Sequence, residues 1–317
     1  MGFAVGWWLL WLLSRRTEQP QRWAMVPAVA MASVGGALLV FSPSSHVLDL
    51  LAWVWPPALL ALVVWMIIQS RRALRSRTRV WLLYPVFAVL ALVAVGGGLE
   101  TVREATDGAT QATAGRLIDV GGHRMYLHCT GSGSPTVVLA SGLGERSPSW
   151  AWIVPAVGKT TRVCVSDRAG QGWSDDAAAQ DGVQLAADLA HLARPRGGDG
   201  PLRAGRAHSV GGIYDLAFAA RYPGQVAGMV LVESATPRQF TALPDYAGFY
   251  SLWGRVAPLL PSLARTGLAR VTFGTGFAGL PAVARDQERA FTSTARDLSS
   301  QRVEYSQLPA AFSRHRR

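Results

Sequence analysis

Lysine is nearly absent from this chain of 317 residues. Lys159 is the only one among 31 basic side chains, so the net charge of +11 is carried by arginine. Those arginines form no run interleaved with aromatics of the kind a nucleic-acid module uses, and no nucleic-acid partner is expected. Cysteine is scarce as well. Cys129 and Cys164 are the only two, too few for a disulfide-rich scaffold, and neither stands in a C-x-x-C or Cys/His spacing, so no metal site is expected. Up to about residue 99 charge is scarce too, confined to two short stretches, and eight of the 12 Trp lie at or before Trp81. That part cannot be the surface of an ordinary soluble domain.

What stands there is apolar sequence in lengths that match a bilayer, which needs about 17–25 residues per helix. Three stretches qualify: Ala24–Phe41, Val47–Gln69 and Val80–Gly98. A fourth, Phe3–Leu13, is Trp-rich but short. Arg15, Arg16 and Arg22 lie in Ser14–Trp23, and Arg71, Arg72, Arg75, Arg77 and Arg79 lie in Ser70–Arg79, whereas Ser42–His46 has no arginine. The positive-inside rule then puts the two basic stretches in the cytoplasm and everything after Glu100 outside it. Pro56-Pro57 predicts a kink in the second span. The spans lack central ionisable residues, which argues against a transporter. The domain reading is a transmembrane region over 1–99, a polar linker or membrane-proximal helix over 100–115, and a soluble domain over 116–317.

In that domain short apolar runs alternate with helical stretches, the pattern of a mostly parallel sheet with helices on its faces. Arg116–Val120 and Arg124–Cys129 flank Gly121-Gly122 and predict a hairpin. Thr136–Ala140 and Arg162–Ser166 read as buried strands, Gln184–Leu192 as a helix, Gly212–Tyr222 as a helix stopped by Pro223, and Val226–Val232 as a strand. Residues 237–312 read as a run of short helices broken by Pro and Gly. Pro201–Ala207, the strand expected before the next turn, carries Arg203 and Arg206 and no β-branched residue. It departs from the continuous apolar run of a central parallel strand, and a shifted reading frame from about Arg194 to Arg206 would produce such a stretch.

Three motifs carry chemistry. Thr136-Val-Val-Leu-Ala-Ser-Gly-Leu-Gly144 runs from a strand into a Gly-rich turn. Asp167-Arg-Ala-Gly-Gln-Gly-Trp-Ser-Asp175 follows the next strand. Ala207-His-Ser-Val-Gly-Gly212 stands between a strand and a helix, the place for a tight turn that lifts a serine hydroxyl clear of a sheet. In this order they resemble the α/β-hydrolase family over roughly Arg116–Pro237. The resemblance implies Ser209 as nucleophile and the backbone N–H groups of Val210 and Leu143 as the oxyanion hole. It implies a structural role for Asp167-Arg168 and a helical cap over 237–312. It also makes the strands of Cys129 and Cys164 neighbours, hence a candidate disulfide in an oxidising compartment. No metal or organic cofactor is implied, and the expected partners are the lipid bilayer and a small-molecule or lipid-like substrate.

The family's acid and histidine follow the serine. Here the downstream sequence offers Glu233 as a possible acid, and His315 lies in a terminal Arg-rich stretch with no strand before it. His208 adjoins the serine and is expected to point away from its hydroxyl. His191 is expected on a surface helix. The reading is therefore a membrane-anchored, extracytoplasmic serine hydrolase acting on an ester, thioester or small amide, with the last strands of the fold missing. The alternative is a truncated or decayed hydrolase without catalysis, acting as a binding module.

Overall fold

A computed structural model describes residues 2–74, 81–109, 115–177, 181–193, 202–273 and 276–314. The chain divides into two compact units, Met1–Ala105 with Arg265–Gly267, and Thr106–Ala264 with Leu268–Arg317.

The first unit is helical: α1 (Gly2–Ser14), α2 (Met25–Phe41), α3 (Ser45–Ala52), α4 (Trp55–Ala73) and α5 (Tyr84–Ala109). Arg22–Phe41 and Tyr84–Asp107 are each long and apolar enough to cross a membrane, and α3 with α4 makes a third candidate if the pair is one broken span. Its core is aromatic and aliphatic, with Trp7, Trp23, Val63, Met66, Phe87 and Leu90 buried together. The expected kink is a break: α3 ends before Trp53 and α4 restarts at Trp55, bent by 47°. Pro56 and Pro57 sit in the first turn of α4, where a missing N–H costs nothing because those donors have no intrahelical partner. The expected linker is also helical for much of its length, because α5 runs on to Ala109. Residues 101–107, TVREATD, hold no Gly or Pro to stop it. Arg71 and Arg72 close α4, whereas Arg75, Arg77 and Arg79 lie outside the described residues.

The second unit is built on a six-stranded sheet: β1 (Arg116–Asp119), β2 (Arg124–Thr130), β3 (Thr136–Ala140), β4 (Val163–Ser166), β5 (Leu202–His208) and β6 (Gly228–Val232). Their order is β1-β2-β4-β3-β5-β6. The β1–β2 and β2–β4 pairs are antiparallel, and β4–β3, β3–β5 and β5–β6 are parallel. The central strands are buried on both faces, which is why Val137, Val138, Leu139, Val163, Cys164 and Val165 form almost uninterrupted apolar runs. The Arg-bearing stretch nevertheless forms β5, with Ala207 opposite Ala140 on one side and Leu231 on the other. The side chains of residues 202–206, and all of 194–201, lie outside the described residues. β6 is the sheet edge, and no strand pairs its outer side among the described residues. Cys129 and Cys164 stand directly opposite each other on β2 and β4 and form a disulfide.

Helices α6 (Ile153–Val157), α7 (Gly182–Leu192) and α8 (Gly211–Arg221) connect the strands. Asp181 caps α7 by accepting from the N–H groups of Val183 and Gln184. The cap follows as α9 (Gln239–Ala242), α10 (Tyr246–Val256), α11 (Leu260–Arg265), α12 (Leu268–Phe273), α13 (Ala282–Thr292) and α14 (Ala295–Arg314).

Candidate active site

The site forms where the C-terminal ends of β3 and β5 meet the N-terminus of α8. Ser209 takes φ = +52° between β5 and α8, a left-handed conformation that a non-glycine residue adopts at a cost and that the surrounding structure must hold. The holding contacts are visible. Ser209 O accepts from the N–H groups of Gly212 and Ala235 at 3.1 and 2.9 Å. Gly211 lets the helix close on β3: a Cβ there would lie 2.7 Å from the carbonyl oxygens of both Ala140 and Ser141. Ala207, where the motif more often has glycine, is fully buried in β5. Among the described residues Ser209 Oγ makes no hydrogen bond.

The loop after β3 runs beside this turn. A Cβ placed on Gly142 would lie 3.1 Å from Ser209 Cβ, 3.2 Å from His208 Nδ1 and 2.9 Å from Glu145 Oε2. Glu145 Oε2 accepts from the Gly142 N–H at 2.9 Å and lies 2.9 Å from His208 Nδ1. His208 thus meets a carboxylate that no motif announced, beside the Ser209 turn. The N–H groups of Leu143 and Val210 donate to no other described residue. Acyl transfer requires backbone donors of this kind, free of other partners, at its oxyanion hole.

Two arginines set the loop's shape. Arg168 donates from Nη1 to Ser141 O and from Nη2 to Gly142 O, each at 2.7 Å. A trans peptide points its C=O and N–H in opposite directions, so fixing Gly142 O on Arg168 aims the Leu143 N–H away from the guanidinium. Arg168 thereby fixes the orientation of the Gly142–Leu143 peptide. Arg168 is itself held by buried Glu304 of α14, which also accepts from Gln171 Nε2 at 2.6 Å and Tyr214 OH at 2.8 Å. Burial and the Glu304 carboxylate push the Tyr214 phenol well above its ordinary pKa. On the loop's far side Arg146 is fully buried and paired with Glu288 of α13 and Asp297 of α14. Burial opposes its charge, but the two carboxylates outweigh that, and its pKa is raised.

Asp167 also serves this loop. Its Oδ1 accepts from Ser147 N at 2.7 Å and its Oδ2 from Trp173 N at 3.1 Å. Burial pushes its carboxyl up to about 6 against those hydrogen bonds. Gly172, at φ = +52°, makes room for it, since a Cβ there would lie 2.2 Å from Asp167 Oδ2.

The remaining candidates are dispersed. Glu233 is exposed at the end of β6 with φ = +47°, and contacts no histidine among the described residues. His191 is half-buried on α7, and His315 lies outside the described residues. Among the described residues no group of three His, Cys, Asp or Glu is arranged to hold a metal.

The comparisons with known proteins agree with the fold of the second unit. A family model described as alpha/beta hydrolase fold matches residues 135–301, more than half of the chain. The chain is 27% identical over 128 residues to an uncharacterised protein of Bacillus subtilis, with 40% of this chain and 39% of that one aligned. It is 32% identical over 163 residues to the 2-hydroxy-6-oxo-2,4-heptadienoate hydrolase of Pseudomonas putida, covering 49% of this chain and 55% of that enzyme. It therefore spans between about two fifths and about half the length of these relatives. The crystal structure of the Cif epoxide hydrolase from Acinetobacter nosocomialis superimposes with a TM-score of 0.54 at 15% identity, over 69% of this chain and 75% of that one. At that identity the likeness shows the fold alone.

Proposed function

The chain belongs to the alpha/beta hydrolase fold family, and we propose that it is a membrane-anchored serine hydrolase whose catalytic unit lies outside the cytoplasm. The observation that carries this reading is the left-handed Ser209 turn with the Gly142 loop packed against it, and the N–H groups of Val210 and Leu143 are its proposed oxyanion donors. Ser209 Oγ attacks the carbonyl carbon of an ester, thioester or small amide. The carbonyl oxygen gains the negative charge and takes up the two N–H groups. The hydroxyl proton leaves for a base, the C–O, C–S or C–N bond breaks with protonation of the leaving group, and water releases the acid from the acyl-serine. Apolar helices of spanning length and the arginine pattern around them support the anchoring. Glu233 is the acid proposed from the motif order.

No described side chain hydrogen-bonds Ser209 Oγ, and this favours slow turnover. Loss of one member of a serine triad typically leaves about 10³–10⁴-fold acceleration over water, from oxyanion donors and binding. The same observation favours a second reading, a hydrolase scaffold without catalysis that binds its ligand. A fluorophosphonate probe separates the two on the purified full chain. The enzyme reading expects covalent labelling at Ser209, lost in Ser209→Ala. Absence of labelling on protein with an intact thermal transition leaves the non-catalytic reading.

A further inference from the structure

One face of α14 is polar where a cap helix would ordinarily bury apolar side chains. Asp297, Ser300, Gln301 and Glu304 stand at positions i, i+3, i+4 and i+7 of this helix, a spacing that puts them on one face. Asp297, Ser300 and Glu304 are buried, and burying polar groups is costly unless each is paired. Their partners lie in the loops beside the Ser209 turn. Asp297 pairs with Arg146. Ser300 Oγ donates to Ala169 O at 3.1 Å. Gln301 closes on Gly144, where φ is +72° and a Cβ would lie 2.8 Å from its Oε1.

Glu304 makes the most of this face. Its Oε1 lies 3.2 Å from Arg168 Nε, and its Oε2 accepts from Arg168 Nη2 at 3.4 Å. Oε1 also accepts from Tyr214 OH at 2.8 Å, and Oε2 from Gln171 Nε2 at 2.6 Å. The one carboxylate therefore holds two sides of the site. Through Arg168 it holds the carbonyls of Ser141 and Gly142, and with them the peptide that carries the Leu143 N–H. Through Tyr214 it holds α8, the helix that begins after Val210. A guanidinium is a rigid planar fork, and with Nε on the carboxylate and both Nη atoms on carbonyls its plane is fixed from both edges. We infer that Glu304 is a positioning residue, which fixes the Gly142–Leu143 peptide through Arg168 so that α14 of the cap sets the spacing of the proposed oxyanion donors. This rests on the serine-hydrolase reading above and adds to it that the cap controls reactivity at Ser209.

The test compares the full chain in detergent with Glu304→Gln and with the neutral pair Arg168→Met plus Glu304→Gln. The single variant strands Arg168 and can lose the fold, whereas removing both charges of a buried pair together costs little. Labelling of Ser209 by a fluorophosphonate is followed against probe concentration, beside the thermal transition of each protein. Both variants should label about 10–100-fold more slowly at saturating probe, approaching the effect of losing one oxyanion donor, with the half-saturating concentration unchanged. A role in stability alone expects the neutral pair, folded as the wild type is, to label at the wild-type rate, and that result overturns the inference. Deuterium exchange reads the loop without any chemistry. The Gly142 N–H donates to Glu145 Oε2 and the Glu145 N–H to Gly142 O, so a released Gly142 carbonyl frees both to exchange. Exchange over residues 141–147 should rise about ten-fold in the neutral pair while β4 stays as in the wild type. No rise, or a rise that β4 shares, overturns the inference. If the wild type itself takes no label, the serine-hydrolase reading fails separately, and the exchange result alone decides whether Glu304 positions the loop.

Discussion

Replacing Asp215 by Asn should raise the stability of this protein at neutral and alkaline pH and lower it in acid. Asp215 sits on the second turn of α8, 4% exposed. Its Oδ2 has no hydrogen-bond partner. It lines a cavity of about 50 Å³ with Arg168, Ser166 and Tyr214. Burial alone pushes its carboxyl up to about 7, against roughly 3.9 in an unfolded chain. The sign follows from linkage. Below pH 4 both states hold the proton and the shift has no cost. Between about 4 and 7 the unfolded chain releases it and the folded chain keeps it, so stability falls as pH rises. Above 7 the loss is complete. Three pH units at about 1.4 kcal/mol each set an upper scale of roughly 4 kcal/mol. An Asn amide does not titrate but leaves polar atoms to satisfy, at about 1–3 kcal/mol. The variant should therefore be more stable by about 1–3 kcal/mol at pH 8, and less stable by about 1–3 kcal/mol at pH 4. Chemical unfolding of the full chain in detergent at five or six pH values reads this difference directly. Asp167, also pushed up by burial, bends both curves equally and cancels. A wild-type-minus-variant difference that stays flat from pH 4 to pH 8 refutes the reasoning, because it would mean that Asp215 is solvated or paired in the folded state.

Arg146→Met should destabilise the protein by about 3–5 kcal/mol, since it strands the Glu288 and Asp297 carboxylates in a dry site. Adding Glu288→Gln and Asp297→Asn should recover much of that loss in the same unfolding assay, and a triple variant no more stable than Arg146→Met would contradict the charge argument. Cys129→Ala with Cys164→Ala should cost about 4 kcal/mol by the loop-entropy relation for a separation of 35 residues. Thiol titration of the denatured, unreduced protein should find no free thiol, and two titratable thiols in protein isolated from cells would count against the oxidising compartment.

Much of the architecture is legible in local pattern. Thr136–Ala140 is β-branched at its first three positions and apolar from Val137 on, and it forms the predicted strand residue for residue. Ile213, Leu216, Ala217 and Ala220 mark one face of the helix that follows Ser209, and Pro223 ends it, one residue beyond Tyr222. The turn at Ser209 is readable because its needs are local: a strand, a residue in a left-handed conformation, then a small residue where the helix passes β3. The strand before it was not legible from its side-chain pattern. Leu202–His208 pairs with β3 and β6 through backbone groups, which every residue carries whatever its side chain.

What the sequence determined alone, then, is the set of elements that short-range periodicity and turn chemistry dictate, together with the apolar spans and the serine turn. The tertiary structure decided how those elements aim their chemistry. Glu145 meets His208 across 63 positions, Arg146 meets Glu288 and Asp297 across 142 and 151, and Arg168 meets Glu304 across 136. These partners have no common period and no motif, because each contact exists only once β5 or the cap helices have packed beside the loops after β3 and β4. The same holds for α10–α11, where Tyr250, Trp253 and Leu260 pack inward while Phe249, Leu252 and Leu259 stay exposed. Sequence periodicity shows that two faces are apolar, but only packing decides which of them α14 covers.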